Sequence, residues 1–258
     1  MKDLNLSAQL YTLREYTKTE EDFKNTLYKI KEIGYQSFQH SGAGFSNPAF
    51  VAKCLKETGL VLSATHTSPD RLLKDLPAVI DEHKQWNCEF VGIGMMPEAY
   101  RENEQSVISF ARQFSEVGQQ LKESGLTLIY HNHHFEFMKY NGRLIMDILL
   151  EESDKRYFDF EIDTYWVQAG GANPVEWIYK VNNRMKYIHF KDMGINVSTQ
   201  VFKPVGEGNL NWPAILKACR ETDVRWCAVE QDICEGSPFD ALKTSYDHLM
   251  NRYHFLGE

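Results

Sequence analysis

Residues 126–137 read Leu126-Thr127-Leu128-Ile129-Tyr130-His131-Asn132-His133-His134-Phe135-Glu136-Phe137. The first five are apolar or β-branched, the composition of a strand buried on both faces. The run then turns into histidines, an asparagine and a glutamate. A lone histidine at a strand end is ordinarily a hydrogen-bonded structural residue. Three of them with a glutamate in one short stretch point to chemistry instead.

The entry into this strand recurs along the chain. Lys31-Glu32-Ile33-Gly34-Tyr35, Lys56-Glu57-Thr58-Gly59-Leu60 and Lys122-Glu123-Ser124-Gly125-Leu126 each join a last helical turn, a glycine and the first apolar residue of a strand. Arg220-Glu221-Thr222-Asp223-Val224 is a looser copy. Glycine takes the left-handed conformation that closes a helix, so these are helix-to-strand loops. Helix starts alternate with them. Thr19 precedes Glu20, Glu21 and Asp22, and Asn47-Pro48, Asn173-Pro174 and Ser237-Pro238 each set a capping side chain before proline; Asn211 with Pro213 is a near variant. Further helices are expected over 70–86, 105–123 and 143–152.

Strands are expected at 6–10, 36–39, 60–66, 90–94, 126–131, 157–162, 185–190 and 226–230. Their ends (Gln9, Gln39, His66, Gly94, His131, Asp163, His189, Glu230) recur every 26 to 41 residues. A strand-helix-strand unit needs about 30 residues. Eight such units predict an α/β fold, a (β/α)8 TIM barrel, with residues 1–258 as one domain. A doubly wound sheet is the runner-up, but no G-x-G-x-x-G or phosphate-loop phrase follows any strand.

With 43% hydrophobic and 25% charged residues, the composition is that of an ordinary globular enzyme. No apolar run approaches the roughly 20 residues of a membrane span, and the first residues lack the pattern of a signal peptide. Five cysteines without metal-ligand spacing suit reduced thiols and a cytoplasmic location. A net charge of −8 argues against a nucleic-acid partner, whose phosphates would need neutralising. Neither nucleic acid nor membrane is expected as a partner.

A barrel of this kind carries its active site at the C-terminal ends of its strands. There the fifth strand offers His131, His133 and Glu136, the sixth Asp163, the seventh His189, Lys191 and Asp192, and the eighth Glu230 and Asp232. Imidazoles and carboxylates converging from neighbouring strands make a mixed nitrogen and oxygen site for a divalent metal ion: Mn2+, Zn2+, Co2+ or Mg2+. His66, ending the third strand, is expected to bind substrate at the mouth. Gln9, Tyr11, Gln39 and His40 are candidate partners for substrate hydroxyls, and Trp166 can stack on an apolar face of the substrate. Lys191 is placed to pair with Asp163 or to hold an anionic group. Trp212 reads as structural, His83, His248 and His254 as helix-face residues, and Met95-Met96-Pro97 as pocket lining. No glycine-rich cradle adjoins the histidines, so a phosphorylated substrate is not indicated.

Over nearly its whole length the chain resembles the sugar phosphate isomerase/epimerase family, the xylose isomerase-like barrels. The resemblance is carried by residues 131–137 (HNHHFEF), 163–171 (DTYWVQAGG), 173–177 (NPVEW), 187–192 (YIHFKD), 204–212 (PVGEGNLNW) and 229–232 (VEQD). It implies metal ligands Glu, Asp, His and Glu from strands five to eight, of which Asp163, His189 and Glu230 match. The first ligand commonly stands in a Glu-Asn-His phrase, and this chain has His131-Asn132-His133 there. Either Glu136 reaches back, or His131 ligates, or the site carries less charge; Glu136 is the ligand expected here. Family members often have Glu at the position of Gln39.

The resemblance also implies two carboxylates that remove and return a proton beside a carbonyl, while the metal stabilises the enediolate. Glu136 and Glu230 would fill those roles, with His131 and His133 as imidazole bases where a carboxylate is missing. A sugar or cyclitol isomerase or epimerase is the first reading. Dehydration or β-elimination from a keto-sugar, keto-glycoside or inosose is the second, and a non-catalytic sugar-binding relative the third. An endonuclease on the same barrel would need more ligands and a basic face. A homodimer is the assembly the resemblance implies.

Overall fold

Eight parallel strands close into a barrel: β1 (Asn5–Gln9), β2 (Ser37–His40), β3 (Val61–His66), β4 (Phe90–Ile93), β5 (Thr127–His131), β6 (Asp159–Asp163), β7 (Tyr187–Phe190) and β8 (Trp226–Val229). Each pairs with its neighbours in sequence, and β1 pairs with β8 to complete the ring. This computed structural model describes residues 4–42 and 47–255. Among them no helix is long and apolar enough to cross a membrane.

The helices that cover the barrel are α1 (Glu20–Ile33), α2 (Pro48–Thr58), α3 (Pro69–Lys74), α4 (Leu76–Trp86), α5 (Glu104–Glu123), α6 (Ile145–Glu152), α7 (Thr164–Ala169), α8 (Pro174–Lys180), α9 (Trp212–Glu221) and α10 (Pro238–Asp247). Five of the caps are those the sequence marks. Thr19 accepts from the Asp22 amide, Asn47 from Ala49, Asn173 from Val175, Asn211 from Ala214 and Ser237 from Asp240. These side chains satisfy amide donors that the first helical turn leaves open. Gly59 closes α2 at φ 69°.

Alternation along the strands sorts side chains into two cores. Outward residues such as Tyr130, Phe158 and Phe160 pack with Phe110 and Phe114 of α5 in the layer between barrel and helices. Inward, Ala64, Phe90, Ile129, Tyr187 and Ala228 form a small apolar plug. Beside it Ser63 Oγ meets the Ser7 hydroxyl at 2.9 Å and the Tyr187 hydroxyl at 2.7 Å. The plug fills the barrel below the rim, so anything bound sits at the strands' C-terminal ends.

Four segments differ from expectation. The helix expected over 70–86 is two, α3 and α4, broken at Asp75 with φ −143°. Pro77 explains the break: it fits a first helical turn, but within one continuous helix its ring would meet a carbonyl four residues earlier. Strand β1 stops at Gln9, and Leu10–Tyr16 is 3-10 helix. Arg143–Leu144 pairs antiparallel with Lys139–Tyr140, so α6 begins two residues late. After β7 comes an unforeseen hairpin of Asp192–Asn196 and Thr199–Lys203.

Candidate metal centre

At the rim, His131 ends β5, Asp163 ends β6, His189 lies on β7 and Glu230 directly follows β8. Each offers one ligand atom, and the four atoms lie within 4.8 Å of one another. His131 Nε2 is 3.2 Å from Asp163 Oδ2, and His189 Nδ1 is 3.1 Å from Glu230 Oε2 and 3.7 Å from Asp163 Oδ2. The register of β6 and β7, which sets Asp163 beside His189, produces part of this convergence.

Hydrogen bonds behind the imidazoles decide what they present. His131 Nδ1 is 3.0 Å from the Gly94 carbonyl, which can only accept, so the ring proton sits there. Burial, with His189 adding to it, holds His131 toward its neutral form. Its Nε2 lone pair therefore faces the lone pairs of Asp163 Oδ2 with no proton between them. A divalent cation resolves that opposition, and two imidazoles with two carboxylates suit Mn2+, Zn2+ or Co2+. The residues fit the metal.

A second group, His66, Glu161 and His189, also brings its ligand atoms within 4.8 Å. There the protons are present. Glu161, wholly buried, faces His66 Nε2 at 2.6 Å and His189 Nε2 at 3.1 Å, and accepts from Gln39 Nε2 at 2.7 Å. Three N–H donors already meet this carboxylate, and it calls for no ion.

The rim's charges are closely matched. Burial would raise the carboxyls of Asp163 and Glu230, but Lys191 and the neighbouring imidazoles hold both far below their usual range. Burial works against the charged His189 ring too, yet Glu161 and Glu230 raise it well above the ordinary histidine value. Lys191 Nζ lies 3.1 Å from Glu230, 3.6 Å from Asp163 and 2.6 Å from Asp232. Asp232 moves the other way: burial and the Glu230 charge raise it to about 6.

Glu136, expected as the strand-five ligand, is not in the metal group. It sits on a 3-10 turn, Phe135–Phe137, wholly buried, and its carboxylate receives the Tyr130 hydroxyl and, at 2.8 Å, the His133 amide. Tyr130 points outward from the barrel, so Glu136 lies behind the loop rather than over the rim, and His131 takes its place. Burial raises its carboxyl to about 7. Asn132 completes the loop, accepting from the Asp163 amide at 3.0 Å.

A pocket of about 400 Å³ opens over the cluster, lined by Tyr11, His66, Met95, His131, His133, Lys191, Glu230 and Asp232 among others. His133 is held neutral, burial and His131 lowering it to about 2, and its Nδ1 has no hydrogen-bond partner. Trp166 Nε1, also without a partner, belongs to a ring 5.4 Å from that of His133. Gln9 and Gln39 do not line the pocket; they lie fully buried beneath it, Gln9 Nε2 donating to Gln39 Oε1 at 3.1 Å. His40 packs against Trp86. Trp212 is structural, its Nε1 donating to Asp192 at 2.6 Å. Glu161 was not singled out from sequence, though its two-residue spacing from Asp163 puts both on one strand face.

Residues 27–251 match the family described as xylose isomerase-like TIM barrel. An inosose dehydratase of Clostridium beijerinckii is 24% identical over 174 residues, covering 60% of this chain and 58% of that protein. The chain thus spans somewhat more than half the length of the curated relatives it matches. A sugar phosphate isomerase/epimerase from Parabacteroides distasonis is similar in structure, with a TM-score of 0.83 and 23% identity over 99% of this chain and 96% of that one. A probable 3-DHS dehydratase from Bacillus anthracis gives a TM-score of 0.75 at 15% identity, over 96% of this chain and 100% of the other. At such identities the likeness is one of fold.

Proposed function

Since the chain belongs to the xylose isomerase-like TIM-barrel family, we propose that it is a metal-dependent dehydratase that removes water from an uncharged keto-cyclitol or keto-sugar. One observation carries this reading: strand five presents imidazoles, His131 to the metal group and His133 to the pocket, while Glu136 is turned away. A symmetric exchange between carboxylates of strands five and eight lacks its strand-five member. An unlike pair, a neutral imidazole on one side and a carboxylic acid on the other, suits elimination. The relatives named inosose dehydratase support the same choice.

His131, Asp163, His189 and Glu230 would hold the metal. When bound, it supplies Lewis-acid stabilisation of negative charge on a substrate oxygen. The chain's residues supply the proton transfers. His133, which lines the pocket and has a ring nitrogen without a hydrogen-bond partner, takes the proton from the carbon beside the carbonyl, its basicity rising as negative charge builds on the substrate next to it. The electron pair left behind forms the carbon–carbon double bond as the hydroxyl two carbons from the carbonyl departs. Asp232, whose raised value keeps a share of it protonated near neutrality, gives that hydroxyl its proton, so water leaves. Lys191 stands between Asp232 and Glu230 and holds both carboxylates in place.

The pocket also supports an uncharged substrate. Lys191 is the one lysine or arginine among its described lining residues, and three carboxylates already face it. No cation is left over for a phosphate. Isomerisation or epimerisation is the second reading, favoured by Glu230, a carboxylate that shares the pocket with His133 and can return a proton. The two are separated by incubating the protein with Mn2+ and 2-keto-myo-inositol or ketohexoses in D2O. Product lighter by one water supports elimination. Deuterium in a product that has kept its water supports isomerisation and overturns the first reading.

A further inference from the structure

Glu161 has no place in the chemistry above, yet it is wholly buried just beneath the rim. It stands on β6 two residues before Asp163, one layer deeper in the barrel. A buried carboxylate there is costly unless every oxygen is met. Here the donors come from three strands: Gln39 Nε2 of β2, His66 Nε2 of β3 and His189 Nε2 of β7.

The direction of each bond follows from its partners. Gln39 has to turn its NH2 toward the carboxylate, because its oxygen there would oppose another acceptor. That leaves Gln39 Oε1 facing His189 Nε2 at 2.7 Å. His189 Nε2 therefore looks onto two acceptors, Gln39 Oε1 and Glu161 Oε1, and has to carry a proton. On a neutral ring the remaining lone pair is at Nδ1, aimed at Asp163 and Glu230.

We infer that Glu161 is the positioning residue of the metal centre: it fixes the tautomer of His189, directly and through Gln39, so that Nδ1 is the ligating atom. The inference rests on the metal reading of the rim and holds for either reaction. Through its other oxygen Glu161 also ties His66, a wall of the substrate pocket, to the same carboxylate. Substrate wall and metal ligand are thereby held by one side chain that touches neither metal nor substrate.

Glu161→Gln is the sharpest variant. The amide has one acceptor oxygen for three donors, so its NH2 has to face an imidazole or Gln39. The protein is expected to stay folded by circular dichroism but to bind Zn2+ about 10- to 100-fold more weakly in chelator competition, the usual range for losing such a partner. Independently of any variant, nitrogen NMR of the Zn2+-loaded native chain should show His189 protonated at Nε2 and coordinated through Nδ1. Coordination through Nε2, or a Glu161→Gln chain that holds Zn2+ as tightly as the native one, overturns the inference. A native chain that binds no Zn2+ or Mn2+ instead overturns the metal reading beneath it, a distinguishable result.

Discussion

Lys191 Nζ lies 2.6 Å from Asp232 Oδ1, and the ammonium is all but inaccessible to solvent. The same nitrogen reaches Glu230 and Asp163, and it lies 4.9 Å from the centre of the Trp166 ring and 5.3 Å from that of Phe202. One cation thus serves three carboxylates at the edge of the metal group. Replacing it by an apolar residue of similar length leaves those charges facing each other in a low-dielectric setting. Lys191→Met is expected to cost about 3–5 kcal/mol at neutral pH, read from urea unfolding. Saturating Zn2+ should restore part of that loss, because the ion neutralises two of the same carboxylates.

Asp163 has two tasks that can be separated. Oδ1 caps α7, accepting from the Trp166 amide at 2.9 Å, while Oδ2 faces the two imidazoles. Asparagine is an equally good cap but a poor anionic ligand. Asp163→Asn should keep the fold and lose most of the bound ion, as should Glu230→Ala. Elemental analysis, expected to find about one divalent ion per native chain, decides it.

Glu136 should act through the loop rather than through the metal. Glu136→Ala leaves the His133 amide and the Tyr130 hydroxyl without their acceptor, at about 1–3 kcal/mol for each donor left buried. Turnover should fall as His133 loses its placement, while metal content stays that of the native chain. Loss of the ion in this variant would return Glu136 to the ligand set.

His83 carries a pH dependence unrelated to the cluster at the rim. It donates from Nδ1 to the Val79 carbonyl at 2.7 Å and receives the Thr65 hydroxyl at Nε2, 2.8 Å away. Burial lowers its pKa from 6.5 to about 4. The unfolded chain therefore binds a proton from about pH 6.5 downward while the folded chain does not, and stability present above 6.5 is lost as the pH falls toward 4. At pH 5 the loss from this group is about 2 kcal/mol. The difference between unfolding curves at pH 7 and pH 5 should shrink in His83→Gln.

The barrel was legible because its punctuation is local. A glycine after Lys-Glu, or an asparagine before proline, needs only a few neighbours to specify a helix end, and eight apolar runs between such marks leave few architectures. The meeting of Asp163, His189 and Glu230 was legible because each stands at a strand end or one residue from it. Glu136 was not, because five residues of separation from His131 do not reveal a 3-10 turn that swings the side chain behind the loop onto Tyr130. Glu161 was hidden for another reason: in Asp159-Phe-Glu-Ile-Asp163 its partners lie on β2, β3 and β7, far away in sequence. The hairpin after β7 is anchored by Asp192, which gathers the amides of Gly206, Gly208 and Leu210 from a later loop.

The His66 ring rests against Gly92 of β4 and Gly94 just beyond it. A methyl group at Gly92 would come within 2.7 Å of the imidazole and 2.4 Å of the Thr65 carbonyl, and one at Gly94 within 2.8 Å of His66 Nδ1. Those bare positions are thus a mould for the ring, and anyone reshaping this pocket for larger or smaller guests has little freedom there. Met95, next along the chain and half open to solvent, is the better handle for reshaping the mouth.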